Sequence, residues 1–229
     1  MKIDAPSANR KSEAGMTMIA VMAIMTLFAV ALLAVAPSVQ QEVQREKELE
    51  SIRRGEEVAD AIRQYVIFYN GRKLPESIDD LLEGLPQGTK KRQILRPSAA
   101  IDPLSEDGRW RLIKPDPETL GSFAKRVQTY NNGLLPGNPH RVLDRFSIVI
   151  VNSINTESAS EIEDSDDLDY ELITDNQPFI GVASQSKSKS ILAYYGVENH
   201  SKWIFTPLFR GSGTSTFPRR VTRPDRNIR

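Results

Sequence analysis

An uninterrupted apolar run near the N-terminus constrains this chain more than any other feature. Residues Met16 to Ala36 carry no charge, and their only polar side chains are Thr17 and Thr26, whose hydroxyls can bond to carbonyls of the preceding helical turn. A helix of this length rises roughly 30 Å at about 1.5 Å per residue, which matches the hydrocarbon core of a bilayer. The run therefore predicts a transmembrane helix over residues 16–37.

Charged residues on the two sides of this run predict its orientation. Lys2, Arg10 and Lys11 precede it, whereas the far side opens with Pro37 and reaches an acidic residue at Glu42. Because basic residues stay on the cytoplasmic side, the N-terminus is expected in the cytoplasm. The sequence thus predicts a single-pass inner-membrane protein whose residues 38–229 lie in the periplasm.

Two other interpretations of the run are open. Ala34-Val35-Ala36 is an A-x-A site that could end a cleaved secretory signal, but the apolar region is longer than the roughly 7–15 residues usual for such signals. The other interpretation is an ordinary uncleaved signal anchor. Cleavage after Ala36 would give a mature chain that starts at Pro37, whereas an uncleaved anchor would keep Met1. The processing described next would instead start the mature chain at Met16.

The residues that open the run resemble a known processing segment. Gly15 ends a short charged leader, and Met16 to Ile19 follow it as Met-Thr-Met-Ile. This pattern resembles type IV pilin-like proteins, and most closely the pseudopilins of type II secretion systems. The resemblance implies that a prepilin peptidase cuts after Gly15 and that Met16 is then methylated. It also assigns Thr17, Met18 and Ile19 to a helix bundle, and Pro37 lies where pilin helices commonly carry proline.

One residue departs from the family pattern. Family members usually carry Glu five residues after the glycine, and this chain has Ala20 there. In the family that carboxylate compensates the N-terminal ammonium of a neighbouring subunit inside an apolar bundle, where an unpaired charge is costly. The departure favours a minor or initiating subunit, or a divergent branch of the family, over a subunit of the filament body.

Beyond the run, the chain is expected to stay helical up to Asn70, and Asn70-Gly71 is a plausible stop because both residue types tolerate the left-handed cap conformation. Apolar or small residues recur there at spacings of three and four, which indicates one helix face. We expect this face to pack on the globular head, because it spans too few heptads for the alternative, a coiled coil. The residues of this head-packing stripe are Ile52, Gly55, Ala59, Ile62, Val66 and Tyr69.

The remainder predicts an α+β fold, in which the long N-terminal transmembrane helix continues into a pilin-like globular head with a small antiparallel β-sheet. Leu74-Pro75 followed by Leu81-Leu82 predicts a short helix and resembles the second segment of pseudopilins. Asp102-Pro103 and the strand near Trp110 are similar to the start of the β-region in the major pseudopilin type. Enrichment in β-branched and aromatic residues predicts further strands at 146–151, 179–183, 191–195 and 203–205.

Two segments are predicted to be unfolded. Residues 157–171 contain eight acidic residues and no basic one, which is typical of a solvated loop. Calcium binding by Asp164, Asp166, Asp167 and Asp169 is an alternative that the major pseudopilins suggest, but no EF-hand pattern is present. The tail, residues 210–229, is basic and rich in Gly, Ser, Thr and Pro. The predicted organisation is leader 1–15, span 16–37, exposed half of the long helix 38–70, head 71–209 and tail 210–229.

Catalytic and cofactor sites are not predicted. The chain has no Cys and two His, His140 and His200, which we expect at the surface. Ser184 to Lys187 and Ser186 to Lys189 fit S-x-x-K, but they lack the companion motifs of that enzyme class. Acidic and basic residues balance at 30 each, which gives no case for nucleic-acid binding. No metal-ligand spacing or phosphate-binding loop is found.

The resemblance implies a structural subunit of a type II secretion system that assembles through its N-terminal helix into a periplasmic pseudopilus. Its expected partners are a prepilin peptidase, other pseudopilins, an inner-membrane assembly platform and inner-membrane lipid, with no cofactor and no enzyme activity of its own. The alternatives are a minor pilin of a type IV pilus, or a non-assembling, signal-anchored periplasmic binding domain.

Overall fold

The computed structural model of the protein describes residues 10–156 and 177–211, with side chains described over 16–31, 40–152 and 177–211. The predicted acidic loop and all but two residues of the predicted basic tail lie outside the described residues, and so does the calcium alternative. The chain forms two compact units, residues 1–46 and residues 47–229.

Helix α1 runs from Arg10 to Phe68 and contains 59 residues. Within the described parts of the chain, no helix combines the length and the apolar character that crossing a membrane requires. The predicted transmembrane helix over 16–37 is therefore wrong, and so is the single-pass inner-membrane location that was based on it.

Helix α1 continues through Pro37, so the proline does not divide it into two helices. Its C-terminal end lies close to the predicted stop. Asn70 and Gly71 both take a positive φ, at 50° and 72°, and the Gly71 N–H donates to the Val66 carbonyl at 2.8 Å. This left-handed cap satisfies carbonyls that the last helical turn would otherwise leave open.

The first part of the head contains a short helix and a small hairpin. Helix α2 spans Ile78–Glu83, three residues after the predicted opening at Pro75, because Ser77 and Asp80 form a reciprocal capping box at its N-terminus. Strands β1 (Leu85–Gln87) and β2 (Lys90–Arg92) pair antiparallel.

A three-stranded antiparallel sheet lies at the centre of the head, and its middle strand comes late in the chain. The remaining elements are β3 (Arg111–Ile113), α3 (Pro117–Tyr130), α4 (Asp144–Thr156), β4 (Gly181–Ala183), β5 (Lys189–Tyr194), β6 (Val197–Asn199) and β7 (Ile204–Phe205). The sheet order is β3-β4-β7, whereas β5 and β6 form a separate hairpin. The α+β class with small antiparallel sheets is therefore confirmed, as are the strands predicted within 179–183, 191–195 and 203–205.

Residues 146–151 were expected to form a strand, and this prediction is wrong because they lie in helix α4. The segment is amphipathic with a helical period. Ser147 and Ile150 are buried, whereas Ile148 and Val149 are 56% and 55% exposed. Packing of one face on α3 therefore outweighs the strand preference of the β-branched side chains.

The core joins α1 to the sheet and to α3. Val58, Ala59, Ile62 and Val66 of α1 are fully buried. They belong to one apolar cluster whose largest fully buried members are aromatic, namely Trp110, Trp203, Phe179 and Phe205. The Trp110 indole is oriented by its N–H, which donates to the Ala99 carbonyl at 3.0 Å.

Candidate functional site

The N-terminal part of α1 presents an extensive apolar surface, which we call the apolar helix surface and define as residues 16–31. Its large apolar side chains are 55% to 73% exposed and occupy successive turns of the helix. Thr26 turns its hydroxyl back to the Ala23 carbonyl at 2.9 Å, as the sequence predicted. The exposed side chains are Met16, Met18, Ile19, Val21, Met22, Ile24, Met25, Leu27, Phe28 and Val30.

The predicted processing and bundle residues all lie on α1. Gly15 and Met16 are helical, and Thr17 to Ala20 are exposed members of the apolar helix surface. Ala20 contributes only a methyl group at the position where the family carries a carboxylate. Pro37 lies in α1 outside the described side chains.

The head-packing stripe lies against the core of the head. Ala59, Ile62 and Val66 are fully buried, Gly55 is buried, and Ile52 and Tyr69 are partly buried against the same cluster. Gly55 is in close contact with the Phe205 ring of β7. A Cβ added at Gly55 would lie 2.3 Å from Phe205 Cδ2, so only glycine fits this crossing of helix and strand.

A buried carboxylate ties α1 to the C-terminal hairpin of the head. Glu48 is fully buried, and its carboxylate accepts the Ile191 N–H at 2.9 Å and the Leu192 N–H at 2.8 Å. Its Oε1 also lies 3.0 Å from His200 Nε2. We call Glu48, His200 and the two β5 amides the Glu48 anchor. Because its oxygens are matched by donors, the carboxylate is tolerated in the core.

The expectation that both histidines lie at the surface holds for one of them. His140 is exposed, and its Nδ1 accepts the Val142 N–H at 3.3 Å. His200 is only 2% exposed and packs edge-on against Trp203. The prediction for His200 is wrong because the carboxylate that makes its burial favourable lies 152 positions earlier in the chain.

A second buried carboxylate, Asp102, lies between α1 and β4. Ser184 donates its hydroxyl to Asp102 Oδ2 at 2.7 Å, and the Leu104 N–H donates to Oδ1 at 3.0 Å. Burial raises the pKa of the Asp102 carboxyl above its ordinary value, while these hydrogen bonds act in the opposite direction. Ser184, the first serine of the S-x-x-K matches, is therefore engaged in holding a buried carboxylate.

The other matched serine, Ser186, lies near the Glu48 anchor. Its Oγ lies 3.4 Å from His200 Nδ1, so that a serine, a histidine and a carboxylate stand in a row. Such a row can activate a nucleophile. In this protein the Glu48 carboxylate is bound by backbone amides of β5, and Ser186 Oγ accepts the Ser188 N–H at 3.4 Å. These contacts stabilise the fold around the β5 hairpin.

Metal ligands do not cluster in the part of the chain that the structure describes. The sequence did not identify Glu48 and Asp102 as structural residues. Glu48 is one of many charged residues in its part of α1, and Asp102 lies in a turn-forming stretch where an acidic residue is common. The sequence also did not identify helix α3. The one signal for α3 was the Asp116-Pro117 pair, in which Asp116 caps the helix through the Thr119 N–H.

Comparison with known proteins found no matching family model, no matching curated protein and no matching solved structure. The geometry above and the sequence are therefore the basis for any assignment of function. The most unusual feature in both is the apolar helix surface.

Proposed function

We propose that this chain is a pseudopilin-like structural subunit that assembles with other subunits through the apolar helix surface. The observation that carries the proposal is the set of large apolar side chains, each more than half exposed, on consecutive turns of α1. A helix that is apolar on every side is normally buried, and exposed apolar patches of this size mark interaction sites.

Helices of the same kind are the occupants that fit this surface best. Burying one large apolar side chain contributes about 1.5–3 kcal/mol, so even partial coverage of the apolar helix surface would stabilise an assembly strongly. Met16, Met22 and Met25 supply flexible side chains that adapt to a packing partner. In addition, the described surface carries no charged side chain that a neighbouring apolar helix would leave unpaired.

The resemblance at Gly15 to Ile19 extends this proposal to type II secretion, with the subunit forming part of a short pseudopilus that drives protein export. Ala20 favours a minor or initiating position, because it offers no carboxylate to a neighbour's N-terminal ammonium. The buried carboxylates of the described head, Glu48 and Asp102, are both held by hydrogen bonds within the fold, so we assign them a structural role.

Crosslinking from α1 tests the assembly proposal. The chain has no cysteine, so Met22→Cys carries a single thiol that can be labelled with a maleimide-benzophenone in the full-length protein. We expect illumination to yield crosslinks to the N-terminal helices of other pilin-like subunits, which mass spectrometry of the crosslinked peptides identifies. The matched control is Thr89→Cys, an exposed position in the β1–β2 turn, which we expect to stay monomeric.

Two outcomes would contradict parts of this proposal. A labelled Met22→Cys protein that stays monomeric, like the Thr89→Cys control, would contradict assembly through α1. Crosslinks that join mainly two copies of this chain would instead contradict the minor or initiating position and leave assembly itself supported.

Processing at Gly15 is a separate prediction. We expect the mature protein to start at a methylated Met16, and we expect Gly15→Val to abolish cleavage, because a branched side chain at the cut would not fit a peptidase site shaped for glycine. The measurement is intact-protein mass spectrometry from the native host. Ala14→Ser serves as the neighbouring control that should still be processed. A wild-type chain that retains Met1, or that starts at Pro37, would contradict the prepilin interpretation.

A further inference from the structure

The head contains a polar pocket beside the loop that follows β4. It has a volume of about 540 Å³, opens to solvent, and is lined by residues 104–107 and 185–188. We call it the Ser186 pocket, because Ser186 is partly exposed in its wall and lies next to the Glu48 anchor. A hydroxyl in this position is accessible to a small molecule that enters the pocket.

His200 contacts Ser186 with one ring nitrogen and Glu48 with the other. Its Nδ1 lies 3.4 Å from Ser186 Oγ, and its Nε2 lies 3.0 Å from Glu48 Oε1. The carboxylate favours the tautomer that carries the ring proton on Nε2, which leaves the lone pair of Nδ1 on the side of the serine hydroxyl. This is the form in which a histidine accepts a proton from a serine, and such a contact commonly shortens once a substrate is bound.

Glu48 is held so that it keeps the imidazole in this orientation. The carboxylate is fully buried and also accepts the Ile191 and Leu192 N–H groups. The imidazole itself is only 2% exposed. A buried carboxylate that orients the histidine is the third member of serine-based catalytic triads. Glu48 therefore combines its structural role with that of a positioning residue.

The lysine of the S-x-x-K match does not serve as the base. Lys189 follows Ser186 by three residues, but its ammonium pairs with Glu198 at 3.1 Å. An ammonium group has no lone pair that could accept a proton. The imidazole in contact with Ser186 Oγ is therefore the base, and the fold brings it there from a different segment of the chain.

We propose that the Ser186 pocket hydrolyses small carboxylic esters, with Ser186 as the nucleophile, His200 as the general base and Glu48 as the positioning residue. Ser186 Oγ bonds to the ester carbonyl carbon while its proton passes to His200 Nδ1. The bond from that carbon to the alkoxy oxygen then breaks, and the leaving oxygen takes the proton from His200 as the alcohol departs. Water, activated in turn by His200, cleaves the acyl-serine ester to a carboxylic acid and restores the hydroxyl.

The lining of the Ser186 pocket limits the substrate class. Leu104 is the one apolar side chain among its described lining residues, which otherwise carry hydroxyl, amide or charged groups. A long acyl chain would therefore find little apolar surface to bury, whereas a short ester fits a pocket of this volume. Access from solvent supplies the water that the second step consumes. The activity belongs to the head and does not require assembly through the apolar helix surface.

Labelling with a fluorescent fluorophosphonate tests the nucleophile, because this reagent phosphonylates serines that a base activates. We expect folded full-length protein to be labelled at Ser186, which mass spectrometry of the modified peptide identifies, and heat-denatured protein to stay unlabelled. Ser186→Ala should abolish labelling, and because it removes one hydroxyl at a partly exposed position, the fold should be retained. Ser98→Ala removes an exposed serine outside the pocket and is the matched control that should be labelled like wild type.

Hydrolysis of p-nitrophenyl acetate gives a second measurement and tests the other two residues. We expect His200→Gln and Glu48→Gln each to lower kcat at least about a hundredfold with little change in KM, because each impairs proton transfer and not substrate binding. Tryptophan fluorescence checks that the assayed samples are folded. If the role of Glu48 were only structural, folded Glu48→Gln protein would keep the wild-type kcat.

Three further results would overturn the proposal. Labelling of folded wild-type protein no stronger than that of denatured protein would show that Ser186 is not activated. Labelling or ester hydrolysis that persists in Ser186→Ala would assign the reaction to another residue. Wild-type kcat in folded His200→Gln would exclude the histidine as the base. None of these results depends on crosslinking from Met22→Cys, so the activity and the proposed assembly are tested independently.

Discussion

Replacing Glu48 with alanine is expected to lower the free energy of unfolding by about 3–5 kcal/mol, the range for removing one partner of a buried charged cluster. The Glu48 carboxylate is fully buried and accepts two backbone N–H groups of β5. Without it, the Ile191 and Leu192 amides and the His200 ring would lose their buried acceptor, and each such loss costs about 1–3 kcal/mol. A cavity left by the missing side chain would add to the loss.

Thermal unfolding of the full-length protein, followed by tryptophan fluorescence, measures this effect. Trp203 is a suitable reporter because its ring lies 5.1 Å from that of His200. Glu46→Ala is the matched control, since Glu46 lies on the same helix and is exposed, and it should unfold like wild type. Glu48→Gln should fall between the two, because the amide keeps one acceptor oxygen. Equal stability of Glu48→Ala and Glu46→Ala would show that the Glu48 anchor contributes nothing.

Gly55→Ala is expected to destabilise the protein by about 1–3 kcal/mol, although alanine favours a helix over glycine by about 1 kcal/mol. The added Cβ would lie 2.3, 2.4 and 2.6 Å from three ring carbons of Phe205. These distances are far below the roughly 3.5–4.0 Å of an optimal carbon contact. Because Phe205 is fully buried in β7, its ring cannot turn out into solvent.

A double-mutant cycle separates this clash from a general effect on the helix. Phe205→Leu removes ring atoms next to Gly55, so the combined variant should lose less stability than the sum of the two single variants. Asp60→Ala on the exposed side of α1 is the control for helix propensity and should change stability little. If Gly55→Ala unfolds at a higher temperature than wild type, close packing at this crossing is not limiting.

The sequence was most informative where one element repeats a simple pattern. The three- and four-residue spacing from Ile52 to Tyr69 identified the face of α1 that the head buries, because that spacing follows directly from helix geometry. The stop at Asn70-Gly71 was predictable for a similar reason. Enrichment in β-branched and aromatic residues likewise located the short strands that end near Ala183 and Tyr195.

Local patterns failed where distant contacts decide the structure. Residues 146–151 have strand-like composition, but α3 offers them a helical packing partner that no local rule reveals. The Glu48 anchor could not be predicted from local sequence for the same reason. The groups that bind the Glu48 carboxylate lie 143 to 152 positions further along the chain. For the apolar run, sequence hydropathy predicted a membrane span that the described helix does not support.

The order of strands in the central sheet has a consequence for biosynthesis. Strand β3 cannot pair until β4 has been made, about 70 residues later, and β7, which holds the ring next to Gly55, is later still. Contacts between residues so far apart in sequence slow folding. The apolar N-terminal part of α1 is thus translated long before the head that follows it can close its core. A chain truncated before Ile204 would lack β7 and with it the third strand of the central sheet, so the head can complete its core only after synthesis has passed this strand.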